Sequence, residues 1–486
     1  MLYHSTRNEE TKVGGSRAIL EGLAPDGGLY VPDSISKLDI EKLLGLEYKG
    51  IAKKVVSAFF DEFSEEDISR AVEKAYGEKF DSQKICPVKF YDGQKSFLEL
   101  SHGPTLAFKD LALSLLPYLM ALASKVENNK NKKLILAATS GDTGKAAMEA
   151  FSGLEGYSLA VFYPDGGVSN MQERQMLKRS HKNVRAFAVK GNFDDCQTAV
   201  KEIFSDKVLA SKLKNAGVEL ASANSINIGR LIPQIVYYFD AYRQYLLTGR
   251  LNLGDKLDVV VPTGNFGNVL AAFYAKEMGL DLGRIGVASN SNKVLADFSK
   301  EGIYDRNRDL IITQSPSIDI LISSNLERYL YLKIKDAGKV AKLMDGLKNE
   351  GRISLYGHQI FEGDWADEEE TSRAIKEVMD KYNYLIDPHT AVAYTAMKKL
   401  GYRACMVLST ASPYKFPDAV LKALGENREM SLEEKEKLIS KITGGQIPKQ
   451  ISGLFEDDPE SKEIISIEEM MGKVEEMAVL KDLGLD

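Results

Sequence analysis

Short apolar runs that end in clusters of Gly, Ser, Thr or Asn, and then give way to helix-period sequence, recur from about residue 130 to about residue 420. LILAA (134–138) leads through TSGDTG into KAAMEAF, and LDVVVP (257–262) leads through TGNFGN into VLAAFYAKEM. Between them, LAVFYP (159–164) is followed by DGGVSN and a helix expected from about Ser169. β-Rich runs alternating with helices predict an α/β fold, with parallel sheets covered by helices. In such sheets ligands bind outside the carboxyl ends of the strands, so the turns after these strands are where chemistry is expected.

The flanking regions read differently. Residues 1–90 form a mixed region with the turn PDGGLYVP and two helices, near 40–60 and 65–76. The run 106–123, LAFKDLALSLLPYLMALA, is apolar all round the helical wheel and predicts one interior helix. Trp365 falls in what reads as an acidic loop, EGDWADEEE. Beyond about residue 425 the chain is rich in Lys and Glu, and its opposite charges four residues apart predict a solvated helical surface.

Composition narrows the function classes. The 486 residues suffice for two or three structural units, and a net charge of -7 argues against a nucleic-acid footprint. The stretch MLYHSTRNEETKVGG lacks the apolar core of a signal peptide. The 106–123 run is too short, and too interrupted by Lys109, Asp110 and Pro117, to be a good membrane span. The expectation is a cytoplasmic protein with no membrane partner. Cys86, Cys196 and Cys405 are far apart and predict reduced thiols, and the five scattered histidines lack metal-ligand spacing, so no metal is expected.

Four loops could carry chemistry. VPTGNFGN (261–268) sets glycines and asparagines between a buried strand and a helix, which suits either a phosphate or a purely structural turn. It has GxxG, not the dinucleotide GxGxxG. TSGDTGKA (139–146) fails as a Walker loop at Thr139 and Ala146, and leaves hydroxyls and N–H groups that suit a carboxylate, or ordinary capping by Ser140 or Asp142. ANSINIGR (223–230) is either an anion grip or simply the start of a helix, and Thr410 ends the strand of VLSTASPYKF. Lys109, with Asp110 one of two charges in an apolar stretch, is either a snorkelling surface residue or a functional lysine. Together, a near-buried lysine, a phosphate cradle and a strand-end hydroxyl are what pyridoxal phosphate needs, and the second grip would then belong to a substrate.

The motifs in order, YHSTR, DGGLYVP, HGPTLAFKD, ATSGDTGKAA, YPDGGVSNMQERQM, GNFDDCQ, SANSINIGR, PTGNFGN, SNLER, DPHTAVAY and STASPYKF, resemble those of the threonine synthase family. The resemblance implies the tryptophan synthase β-like fold (fold type II) with an additional N-terminal domain. The domains expected are an N-terminal domain at 1–90, a catalytic core at 91–425 with a smaller lobe at about 135–215, and a helical extension at 426–486. It implies that Lys109 is the Schiff-base lysine and proton shuttle. It further implies that Gly264, Asn265, Phe266, Gly267 and Asn268 hold the cofactor phosphate, that Thr410 meets the pyridine nitrogen, and that Asp142 lies near the cofactor's 3-hydroxyl. Ser140, Gly141 and Thr143 would hold the substrate carboxylate, and Asn224, Ser225 and Arg230 the substrate phosphate. Ser412 stands where many relatives have histidine.

The activity implied is conversion of O-phospho-L-homoserine and water to L-threonine and phosphate, by a monomer or homodimer. A phospholyase giving 2-oxobutyrate, phosphate and ammonia would use the same loops, and a cofactor-binding pseudoenzyme is the non-catalytic reading.

Overall fold

The computed structural model describes residues 1–139, 141–178, 181–355, 361–456 and 460–479. Two mainly parallel sheets organise it. The larger runs Glu362–Trp365, Leu282–Ser289, Leu257–Pro262, Cys405–Ser409, Lys95–Glu99, Val88–Asp92, and only its last pair is antiparallel. The smaller runs Ile464–Ile465, Val184–Val189, Tyr157–Pro164, Lys132–Ala138, Val218–Ser222, parallel throughout. The central strands are apolar because helices cover both faces, which is why these runs were readable as sequence. The helix Ile228–Leu247 is buried along almost its whole length and packs against the helices Gly267–Glu277 and Tyr48–Phe59.

The N-terminal residues form a three-stranded antiparallel sheet, Asn8–Gly14, Leu2–Ser5, Tyr30–Pro32. It is keyed into the larger lobe by Arg328, fully buried, which donates to the carbonyls of Tyr30 (2.9 Å) and Ile226 (2.5 Å) and to Asn325 Oδ1 (2.6 Å). Arg7 adds two 2.8 Å bonds to Glu327.

Several expected elements differ. The run 106–123 is two helices, Lys109–Leu113 and Leu116–Val126, because Pro117 lacks the N–H that would bond the Leu113 carbonyl. The helix expected near 40–60 is likewise split, into Ile40–Leu43 and Tyr48–Phe59 around Gly45. Trp365 lies in an edge strand, not a loop; charged residues are compatible with an edge, where one side of the strand is unpaired.

The C-terminal segment is more than a solvated helical surface. Its helix Leu432–Thr443 packs on the larger lobe, where Ile439 is fully buried. Ile464–Ile465 then adds an edge strand to the smaller sheet, and Met470, Val474 and Met477 of the final helix fill a core with Leu134, Phe162 and Phe187. No described helix is long and apolar enough to cross a membrane. All three cysteines are buried and unpaired.

Candidate active site

The carboxyl ends of the two sheets face a shared site. From the larger lobe, the loop before Lys109 is zipped to the turn after Cys405–Ser409: Ala107 bridges Ala411, Phe108 N donates to the Thr410 carbonyl (2.8 Å) and Ser412 N to the Leu106 carbonyl (3.0 Å). Asp110, buried, accepts from Thr105 N (2.8 Å) and Thr105 Oγ1 (2.6 Å), which pins the loop; burial pushes its carboxyl up to about 6, against these bonds. Lys109 therefore leaves a rigid helix start, with its side chain 11% exposed.

Lys109 Nζ lies 3.4 Å from Asp142 Oδ2 and 3.3 Å from Ser317 Oγ, and Ser317 Oγ donates to the same Asp142 oxygen at 2.9 Å. Burial holds the Lys109 amine below the usual lysine value; the Asp142 carboxylate pulls it up, while Lys415 and Arg230 push it further down. Burial alone would raise the Asp142 carboxyl. Lys415 and Lys109, with Gln172, overcome this and hold it well below the usual range. Asp142 Oδ1 is met by Lys415 Nζ at 2.8 Å and Gln172 Nε2 at 3.1 Å.

The 139–144 turn is built for this carboxylate. Gly141 has φ 130°, a conformation that residues with a Cβ rarely adopt, and a Cβ there would lie 2.4 Å from the Gln172 side chain. The backbone N–H groups of Gly141 and Gly144 donate to Thr139 Oγ1, both at 3.0 Å, so Thr139 caps this helix start. Ser140 lies outside the described residues. Thr143 is half-buried on the first turn of the helix Asp142–Phe151.

The 263–268 turn is built for something else. Gly264 approaches the Ser317 carbonyl so closely that a Cβ would lie 2.8 Å from it. Phe266 is left-handed, φ 64°, and its side chain is buried beside Phe273, Tyr329 and Phe361, which leaves only its backbone towards the turn. Asn325 clamps the Asn265 carbonyl with N (3.0 Å) and Nδ2 (3.1 Å), and Ser323 Oγ holds the Gly264 carbonyl (2.6 Å). Asn268 accepts from Tyr237 (2.6 Å) and Tyr238 (2.7 Å) through Oδ1, while its buried Nδ2 has no acceptor. Gly267 opens the eleven-residue helix Gly267–Glu277. A helix N-terminus with an orphaned buried donor lacks an anion, and the phosphate of pyridoxal phosphate fits that need.

A second anion-seeking group lies nearby. Arg230 is buried at the start of Ile228–Leu247; its Nη1 donates to the Ala223 carbonyl (2.8 Å), its Nε has no partner, and burial lowers it to about 10. Ser225 Oγ is 3.2 Å from Ser324 Oγ, which in turn reaches Asn265 Oδ1 (3.4 Å), so this grip abuts the first. Asn224 is half-buried, its N–H bonded to Ser222 Oγ (3.2 Å). Thr410 is buried at the end of its strand.

Residues without a recognisable sequence signal complete the arrangement. Ser317 N donates to His389 Nε2 (3.0 Å), and the other ring nitrogen is 2.7 Å from Asp387 Oδ1, which fixes the proton on Nδ1. Lys415 and Gln172 hold Asp142. Ser317 and Lys415 reach Asp142 from far along the chain, which no local pattern reveals. Among the described residues no group of three or more His, Cys, Asp or Glu side chains is arranged to hold a metal ion.

Comparison with known proteins fits this geometry. Residues 2–76 match a family model for the threonine synthase N terminus, 97–408 one for pyridoxal-phosphate dependent enzymes, and 390–476 one for the threonine synthase C-terminal region. Threonine synthase-like 1 of Homo sapiens is 41% identical over 431 residues, 84% of this chain but 58% of that protein, so the chain spans little more than half of that relative. Threonine synthase of Pseudomonas aeruginosa is 37% identical over 439 residues, 87% of this chain and 90% of that one. The structure of pyridoxal-phosphate-bound threonine synthase from Brucella melitensis superposes with a TM-score of 0.85 at 35% identity, over 99% of this chain and 100% of that one. Yeast threonine synthase gives 0.86 at 31% identity, over 98% of each chain.

Proposed function

The chain belongs to the threonine synthase family of pyridoxal-phosphate-dependent enzymes, and from that membership we propose that it converts O-phospho-L-homoserine and water to L-threonine and phosphate. The observation that carries the reading is the pair of unsatisfied buried donors, Asn268 Nδ2 in one grip and Arg230 Nε in the other. One phosphate answers the cofactor; a second anion grip beside it calls for a substrate with a phosphate of its own.

Bound pyridoxal phosphate supplies the electron sink that makes the protons α and β to the substrate nitrogen removable and the γ-phosphate a leaving group. In this reading the chain does the rest. Lys109 would hold the cofactor, and its amine would move the proton at Cα and then at Cβ of the substrate. Its lowered proton affinity suits it to both tasks, since only the neutral amine is nucleophile or base. The backbone of 264–268 and Asn268 would hold the cofactor phosphate, and Thr410 would offer a hydroxyl to the pyridine nitrogen. Ser140, Gly141 and Thr143 orient the substrate carboxylate. Asn224, Ser225 and Arg230 hold the substrate phosphate, where Arg230 stabilises charge as the ester bond breaks.

A second reading is a phospholyase giving 2-oxobutyrate, phosphate and ammonia, for which the same loops would serve; Ser412, which stands where many relatives have histidine, here caps a turn by accepting from Tyr414 N at 3.4 Å. Product analysis separates the two. With O-phospho-L-homoserine as substrate, threonine should match phosphate mole for mole; phosphate accompanied by 2-oxobutyrate would establish the phospholyase instead, and no phosphate at all would overturn the role given to Arg230.

A further inference from the structure

A second lysine stands in the site. Lys415 is fully buried at the end of the turn Pro413–Lys415, which Ser412 caps. Its ammonium has two partners, the Thr105 carbonyl (2.8 Å) and Asp142 Oδ1 (2.8 Å). A buried ammonium is destabilising unless paired. The backbone already joins this turn to the Lys109 loop through two hydrogen bonds, so the lysine is not needed to close it.

What the ammonium alters is Asp142. The other oxygen of that carboxylate is 3.4 Å from Lys109 Nζ, and an unshared carboxylate at this range raises a lysine pKa by about 1–3, which would keep Lys109 protonated. We infer that Lys415 is a positioning residue: by holding Asp142 Oδ1 it divides the carboxylate between two ammoniums, and so leaves Lys109 free to shed its proton. The charged groups facing Lys109 bear this out. Asp142 comes from the helix Asp142–Phe151, Lys415 from its turn, and Arg230 from Ile228–Leu247; Asp110, on Lys109's own helix, is turned to Thr105. The turn Pro316–Ile318 offers only the Ser317 hydroxyl. Two cations and one shared anion, with burial, hold the amine below its ordinary value. The inference rests on Lys109 being the reactive lysine, and is independent of which phosphate ester is consumed.

Competitive acetylation of the full-length, cofactor-free protein, read by mass spectrometry, reports the pH at which Lys109 becomes half-reactive. In Lys415→Met that pH should rise by about one unit or more, as Asp142 turns wholly to Lys109. The double variant Lys415→Met/Asp142→Asn removes both charges, leaves neither buried alone, and should return within a few tenths of the wild-type value. An unchanged pH in the folded single variant would overturn the inference. Should the single variant not fold, a drop of one unit or more in the double variant would overturn it equally, since Asp142 would then have acted on Lys109 unopposed. Failure of the functional reading has a different signature: Lys109→Ala that still carries covalently bound cofactor.

Discussion

The turns at 139–144, TSGDTG, and 263–268, TGNFGN, each carry a buried parallel strand into a helix N-terminus, and each starts with a threonine and contains two glycines. They differ in where the negative charge comes from. The first supplies its own: Asp142 opens the helix and is surrounded by Lys109, Lys415 and Gln172. The second supplies none. Its polar side chains are uncharged, its backbone is clamped by Ser323 and Asn325, and Asn268 keeps a buried donor without an acceptor. Two strand-turn-helix units of similar plan thus make either a finished electrostatic unit or an open anion site. The difference lies in whether the helix start carries a carboxylate, Asp142, or only an amide, Asn268, and in what other loops bring to it.

The largest effect expected from breaking this contrast is on the finished unit. Asp142→Asn leaves the Lys415 ammonium buried with only neutral acceptors, and should destabilise the protein by about 3–5 kcal/mol at pH 7, measured by urea unfolding. The native carboxyl is held well below its ordinary value. Its stabilisation is therefore fully present above the unfolded pKa near 3.8 and is lost as pH falls towards the lowered folded pKa. The gap between wild type and variant should narrow below about pH 4, and a gap constant from pH 7 to pH 3 would contradict the pairing.

Why only part of this site was legible follows from the same comparison. Both turns could be found because parallel strands are buried on both faces and write continuous apolar runs, with glycines marking their ends. Lys109 stood out as a charge in an apolar stretch. Lys415 did not: in SPYKF it looks like any turn lysine, and its burial depends on Thr105 and Asp142, both hundreds of residues away. Ser317 gave no signal either, since its role comes from His389 bracing its backbone. The strand at Ile464–Ile465 has two residues and no periodicity to detect. Local pattern reveals elements and their ends, whereas partners brought by topology are visible only in three dimensions.

The open turn should respond differently, and less. Gly264→Ala brings a Cβ within 2.8 Å of the Ser317 carbonyl. Overpacking of about 1–3 kcal/mol should appear mainly as roughly 10- to 100-fold weaker pyridoxal phosphate binding in a fluorescence titration, with urea stability of the cofactor-free protein changed less than in Asp142→Asn. Smaller still is Asn268→Ala. Loss of the waiting amide donor should weaken pyridoxal phosphate roughly 10-fold but leave pyridoxal, which lacks the phosphate, nearly unaffected. Equal losses for the two compounds would place the orphaned donor outside the phosphate site.

The strand Ile464–Ile465 also has a consequence in time. The smaller sheet starts to emerge from the ribosome with Lys132, yet the edge beside Val184–Val189 is closed only when the chain has grown by about 275 further residues. At roughly 5–20 residues per second that edge waits some 14–55 s during synthesis, open to any other extended chain that meets it. The lobe that carries Asp142 is therefore the last to be sealed, and the interval before its final strand arrives is when a nascent chain of this protein is most exposed to mispairing with its neighbours on the same message.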